Sequence, residues 1–187
     1  MGMPLPIADW TVERVLALPA DGNRYEAVDG QLLVTPAPSL FHQVVVLALY
    51  ERLAPFVRAH RIGRVVLSPA DIELDRRTLV QPDLFVTPLV EGRHPRTWQE
   101  VRSLLLAVEV LSPSSARADR QIKRRRYQRY GVPEYWIVDL DARLVERWRP
   151  ADERPEILAE RLEWQPATVV PPLPVDLPQL FAEILDE

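Results

Sequence analysis

Apolar side chains recur along this chain with two periods, one helical and one alternating. Asp9 or Thr11 can cap a short helix reaching about Leu18. Residues 25–28 and 31–34 then flank Asp29-Gly30, which predicts a hairpin, because a two-residue turn with positive φ suits Asp-Gly. Ser39 caps a long helix to about His60, with Val45, Leu49, Leu53 and Phe56 at helical spacing. Short apolar-alternating runs follow at 64–68, 70–75 and 78–86, with Arg76-Arg77 as a turn. Residues 88–102 read as irregular or weakly helical. Residues 104–111 are nearly all apolar, the mark of a central strand buried on both faces. Ser112-Pro113-Ser114-Ser115 ends that strand and caps a helix over 116–130, which Gly131 and Pro133 close. Runs 134–140 and 143–149 pair around Asp141. Beyond them the chain is Pro-punctuated, with a weak strand near 157–162 and a last helix near 178–185.

This order predicts an α/β (α+β) fold: a central mixed sheet flanked by helices, preceded by an N-terminal helix and hairpin. No internal repeat or linker divides the 187 residues, so one domain is expected, with a core at about 20–149 and an acidic, Pro-rich extension at 150–187.

Composition narrows the function classes. Apolar content of 47% and charged content of 27% describe an ordinary globular chain. The sequence reads as free of any apolar run of membrane-spanning length, and residues 1–9 lack a signal-peptide pattern, so no membrane partner and a cytoplasmic location are expected. With no cysteine, any metal must be held by oxygen or imidazole, which favours Mg²⁺ or Mn²⁺. Nineteen prolines against six glycines, with a single Asn, give a thermostable cast. The net charge of −4 hides an asymmetry. Residues 1–149 hold 18 acids and 21 bases, whereas 150–187 hold 9 acids and 2 bases, so nucleic-acid binding requires a local patch.

The candidate chemistry begins with Lys123, the one lysine among 23 basic residues. A lysine ammonium is compact and its pKa responds to burial, which suits holding a water molecule. Glu109 stands inside the most apolar strand, where a carboxylate must be paired, protonated or bound to a cation. Asp83 stands in another apolar run, 80–86, where Pro82 implies a bend that aims it out of the pleat. Two carboxylates on two core strands form a natural hard-cation site; salt bridges to nearby arginines are the structural alternative for each. Asp119, Lys123 and Tyr127 share one helical face through i, i+4, i+8 spacing. Asp119 suits a pairing role with Lys123 or the helix N-terminus. The same helix carries Arg117, Arg120, Arg124, Arg125, Arg126 and Arg129, of which Arg120, Arg124, Arg125 and Arg126 are candidate phosphate contacts; a solvated charged face is the alternative.

Tyr25-Glu26-(x)2-Asp29-Gly30, His42-Gln43, Gln81-Pro82-Asp83, residues 108–114, Asp119-(x)3-Lys123-(x)3-Tyr127 and residues 131–139 together resemble the Uma family of candidate endonucleases. That family lies in the restriction-endonuclease-like superfamily, named for its Pro-Asp…(Asp/Glu)-x-Lys signature. The resemblance spans about residues 20–180. It implies a restriction-endonuclease-like core and Mg²⁺-dependent (or Mn²⁺-dependent) phosphodiester cleavage of nucleic acid, with DNA as the expected substrate. It implies Asp83 and Glu109 as metal ligands, the Val110 carbonyl as a further ligand and Glu26 as an acid from an early element. His42, Gln81, Asp119 and Tyr127 are expected to line the site. One departure stands out: Leu111 occupies the position two after Glu109 where the signature has Lys, and Lys123 on the next helix fits as the migrated residue. Two other readings stay open. One is a non-cleaving nucleic-acid-binding module. The other is an interaction protein, for which the acidic tail and Tyr135-Trp136 suit self-association as a dimer or tetramer. A Ser-His-Asp hydrolase has no nucleophile elbow to support it.

Overall fold

The computed structural model describes residues 9–186; the N-terminal stretch read for a signal pattern therefore lies, apart from Asp9, outside the described residues. The Thr11 side chain caps α1 (Val12–Leu16) by accepting from the Arg14 amide. Strands β1 (Arg24–Val28) and β2 (Gln31–Thr35) form the expected hairpin. Asp29 and Gly30 both have positive φ, 51° and 81°, as a two-residue turn of matching twist requires. Ser39 caps α2 (Leu40–Ala59). Strands β3 (Gly63–Leu67), β4 (Ile72–Asp75), β5 (Thr78–Val80), β6 (Leu84–Pro88) and β7 (Leu106–Val110) follow. A π-helical segment, Ala118–Lys123, runs into α3 (Arg124–Tyr130). Gly131 ends α3 in the left-handed region, at φ 78°. Strands β8 (Tyr135–Asp139), β9 (Leu144–Trp148), β10 (Glu156–Leu158), β11 (Arg161–Trp164) and β12 (Leu173–Asp176) precede α4 (Leu177–Leu185).

The central sheet runs β10-β9-β8-β7-β6-β3. Its β7–β8 pair is parallel and the rest are antiparallel, so the sheet is mixed, as expected. A second sheet, β2-β1-β5-β4, and a two-stranded β11-β12 ribbon complete the architecture. The period-two alternation of the central strands divides the core. Leu84, Val86, Leu106, Val108, Val110, Trp136 and Val138 pack with α2, α4 and the ribbon. Phe85, Ala107, Tyr135 and Ile137 pack on the opposite side with Val28, Val80 and Tyr127. Glu109, in phase with Ala107, therefore points toward α3 and the hairpin.

Three readings change. The run at 78–86 is two strands in two sheets, because the chain crosses from one to the other at Gln81-Pro82-Asp83, where Pro82 cannot donate to a ladder. Asp83 thus sits in a break at the entrance to β6 and not on a strand. The weak strand near 157–162 resolves into β10 and β11, and β12 was concealed by its own proline, Pro174. Finally, α2 has the length and apolar content of a membrane-crossing helix, with mean hydropathy 1.3, contrary to the reading that no such run exists. In this fold Val45, Val46, Leu49, Leu53, Ala54 and Val57 of α2 are buried against the central sheet.

Gly63 opens edge strand β3 directly against β6. A Cβ there would fall 1.9 Å from the Thr87 carbonyl oxygen, a backbone atom that cannot swing away. Gly63→Ala is expected to destabilise the protein by about 1–3 kcal/mol or more through overpacking, read as a lowered urea midpoint.

Candidate active site

Four secondary-structure segments bring acids and cations to one place. The hairpin supplies Glu26 and, in phase with it, Arg24. The break between β5 and β6 supplies Asp83, β7 supplies Glu109, and the π-helical segment supplies Asp119 and Lys123. All four carboxylates are at most 3% exposed, as is Lys123. Lys123 Nζ lies 2.8 Å from Glu26, 3.0 Å from Glu109 and 3.3 Å from Asp119. The Tyr127 hydroxyl donates to the same Glu109 oxygen at 3.4 Å. Glu26 also accepts from the Gln81 amide at 2.7 Å. The π turn shapes this arrangement: the Arg124 amide bonds to the Asp119 carbonyl, five residues back, widening the turn that carries both Asp119 and Lys123 inward.

Burial acts against charge at Lys123, but Glu109, Glu26 and Asp119 overcome it and push its pKa well above the ordinary lysine value. Lys123 is therefore a fixed cation and not a proton acceptor. Burial pushes the Glu109 carboxyl well up; Lys123 pulls the other way, and Asp119, Asp83 and Glu26 add to the rise. Asp119 is likewise raised, first by burial. The Lys123 ammonium, 3.3 Å away, and the Ser115 side chain act against that rise.

Asp83 has a different environment. It accepts from Arg24 Nη1 at 2.7 Å and from the Val110 amide at 2.8 Å, and it lies 2.9 Å from His42 Nε2 on the first turn of α2. Arg24 also donates to the Gln81 carbonyl. Burial would raise Asp83, but the His42 hydrogen bond and charge, the Arg24 charge and the Val110 amide outweigh it and hold the carboxyl down to about 2. Arg24, Asp83, Glu109, Val110, His42 and Lys123 all line one cavity of about 550 Å³. Glu26 and Asp119 lie behind that wall.

Glu26, Asp83, Glu109, Asp119, Lys123, His42 and Tyr127 thus converge as expected from the sequence. Gln81 joins through its backbone, while its side chain turns away to Asp71. Three of the four candidate phosphate contacts on the basic helix have partners within the protein. Arg120 is engaged by Asp139 and Glu146, Arg126 by Asp29 and Asp75, and Arg124 lies over the Trp148 ring at 4.4 Å. These three make contacts that fasten the fold, Arg120 while also lining the cavity, and Arg125 is the exposed member of the set. Arg24 is the site residue that sequence reasoning missed. Its signal was period-two phase with Glu26 on the hairpin.

Four buried carboxylates face two permanent cations, Arg24 and Lys123, beside His42. That excess of negative charge suits a divalent ion. Among the described residues, however, no three His, Cys, Asp or Glu groups form a ready-made ion cage.

The chain thus combines a mixed sheet with a cation enclosed by acids at the edge of a cavity. The chain belongs to the Uma2 family, whose description is "Putative restriction endonuclease" and whose profile matches residues 12–183. A solved structure, described as "a putative nuclease belonging to DUF820" from Anabaena variabilis, is 19% identical, with a TM-score of 0.75 over 94% of this chain and 99% of that one. No functionally curated protein matches.

Two measurements test the electrostatics. Lys123→Ala leaves three buried acids uncompensated and is expected to cost about 3–5 kcal/mol in urea unfolding. Asp83 has a folded-state value below its ordinary 3.8, so folding favours its ionised form. Its contribution is complete above pH 3.8 and is lost as pH falls toward about 2. Asp83→Asn should flatten that acid limb of the stability profile; an unchanged limb would contradict the assignment.

Proposed function

We propose that this protein is a metal-dependent nuclease that hydrolyses phosphodiester bonds in nucleic acid, with DNA as substrate. The observation that carries the reading is the Lys123 ammonium, buried and held charged beside Glu109 at the wall of a cavity large enough for a backbone segment. Glu109 and Asp83, which both line the cavity, would hold Mg²⁺ or Mn²⁺, with the Val110 carbonyl as the further ligand that the family pattern implies. A bound divalent ion would supply Lewis-acid polarisation of the phosphate and a water of lowered pKa. Lys123 stabilises negative charge that develops on the phosphate, from a position fixed before substrate arrives. Glu26 and Asp119 keep that ammonium charged and in place. Exposed Arg125 and Arg117, on the same helix, are available to the flanking backbone.

A second reading, binding without cleavage, draws on Asp83, whose carboxylate already has three donors against it.

Incubation of purified protein with linear and supercoiled DNA, in Mg²⁺ or Mn²⁺, separates the two. The nuclease reading expects cleavage by the wild type and a loss of about 10²–10³-fold in Lys123→Ala and Glu109→Gln, the scale for removing one preorganised electrostatic contact. Intact DNA in every condition, or variants equal to wild type, would leave the binding module as the better reading.

A further inference from the structure

We propose that Arg24 is an ion gate: it occupies the ligand face of Asp83 until a phosphate draws it away, so that nucleic acid and divalent ion bind cooperatively. This rests on the nuclease reading and concerns how its site is loaded.

Three donors crowd Asp83. Arg24 Nη1 is 2.7 Å away, His42 Nε2 is 2.9 Å away and the Val110 amide is 2.8 Å away. The amide belongs to β7 and is fixed with the sheet. The two side chains come from separate elements, the hairpin and α2. A magnesium-sized ion binds a carboxylate oxygen at about 2.0–2.1 Å. An ion so placed would stand a few ångströms from the Arg24 guanidinium, and two like charges repel strongly where water is scarce. Asp83 therefore cannot serve Arg24 and the ion together at full strength.

Arg24 is also the side chain best suited to leave. Its second anchor is the Gln81 carbonyl, and its Nε is buried with no partner. The guanidinium lines the cavity, so a phosphodiester entering there meets it directly. A phosphate offers two oxygens to the guanidinium fork, a better match than one Asp83 oxygen and one carbonyl. Moving Arg24 onto phosphate frees Asp83 for the ion, and by linkage the ion strengthens phosphate binding by the same factor. Lys123 cannot play this part, because three carboxylates hold it in place at the wall.

Calorimetric titration of the free protein with Mn²⁺ tests the gate without reference to activity. If Arg24 blocks Asp83 in most molecules, removing it raises apparent affinity by the reciprocal of the open fraction, about tenfold for a gate open one time in ten. Arg24→Met is expected to show that gain, and Arg24→Met with Asp83→Asn is expected to lose it. Arg24→Met should also weaken metal-free binding of a duplex oligonucleotide several-fold, read by fluorescence anisotropy in EDTA. Equal or weaker Mn²⁺ binding by Arg24→Met overturns the proposal, as does a gain that survives Asp83→Asn. Should Arg24→Met fail to fold, Arg24→Gln decides: it removes the charge while keeping a polar side chain, and the gate requires tighter Mn²⁺ binding from it. A gate that fails while wild type still cleaves DNA leaves the nuclease reading standing. A wild type that neither cleaves DNA nor binds Mn²⁺ in its presence removes both.

Discussion

One ammonium group holds the two halves of this site together. Lys123 pairs directly with Glu26, Glu109 and Asp119, which come from a hairpin, the centre of the main sheet and its own helix. Three buried acids without it would repel one another and take up protons. With it, the hairpin sheet and the central sheet share one electrostatic centre, and each acid has a reason to stay where hydrophobicity alone would not put it.

The surrounding arginines keep that centre in register. Arg126 and Arg129 reach from α3 to Asp29 at the hairpin turn, and Arg126 also meets Asp75. Arg120 ties the same helix to Asp139 and Glu146 on β8 and β9. The helix is thus fastened on both sides of Lys123. Several members of the basic run thus act as internal fasteners, Arg129 while largely exposed and Arg120 while lining the cavity, and Arg125 faces outward.

The fold was largely legible because its signals are local. Asp29-Gly30, the Ser39 cap, Gly131 and the apolar run ending at Val110 each act within a few residues, and each element appears where those signals place it. The failures are not local. Whether residues 78–86 are one strand or two depends on which sheet each end joins, and Pro82 alone could hint at a bend but not at a change of partner. Likewise the π turn, which carries Lys123 to Glu26 and Glu109, is announced by no property of residues 118–123 by themselves. The acids of the site were legible because burial makes a carboxylate conspicuous in an apolar run. Arg24 was not, because an arginine at the start of a hairpin in a chain with 22 of them carries no contrast.

The near-absence of lysine has a practical side. A chain whose basic residues are arginine with one exception offers amine-directed reagents a single side-chain target, and that target is 3% exposed. Acylation at this position thus becomes a clock for the site's own fluctuations: three carboxylates hold the ammonium, and its rate of labelling measures how often they release it.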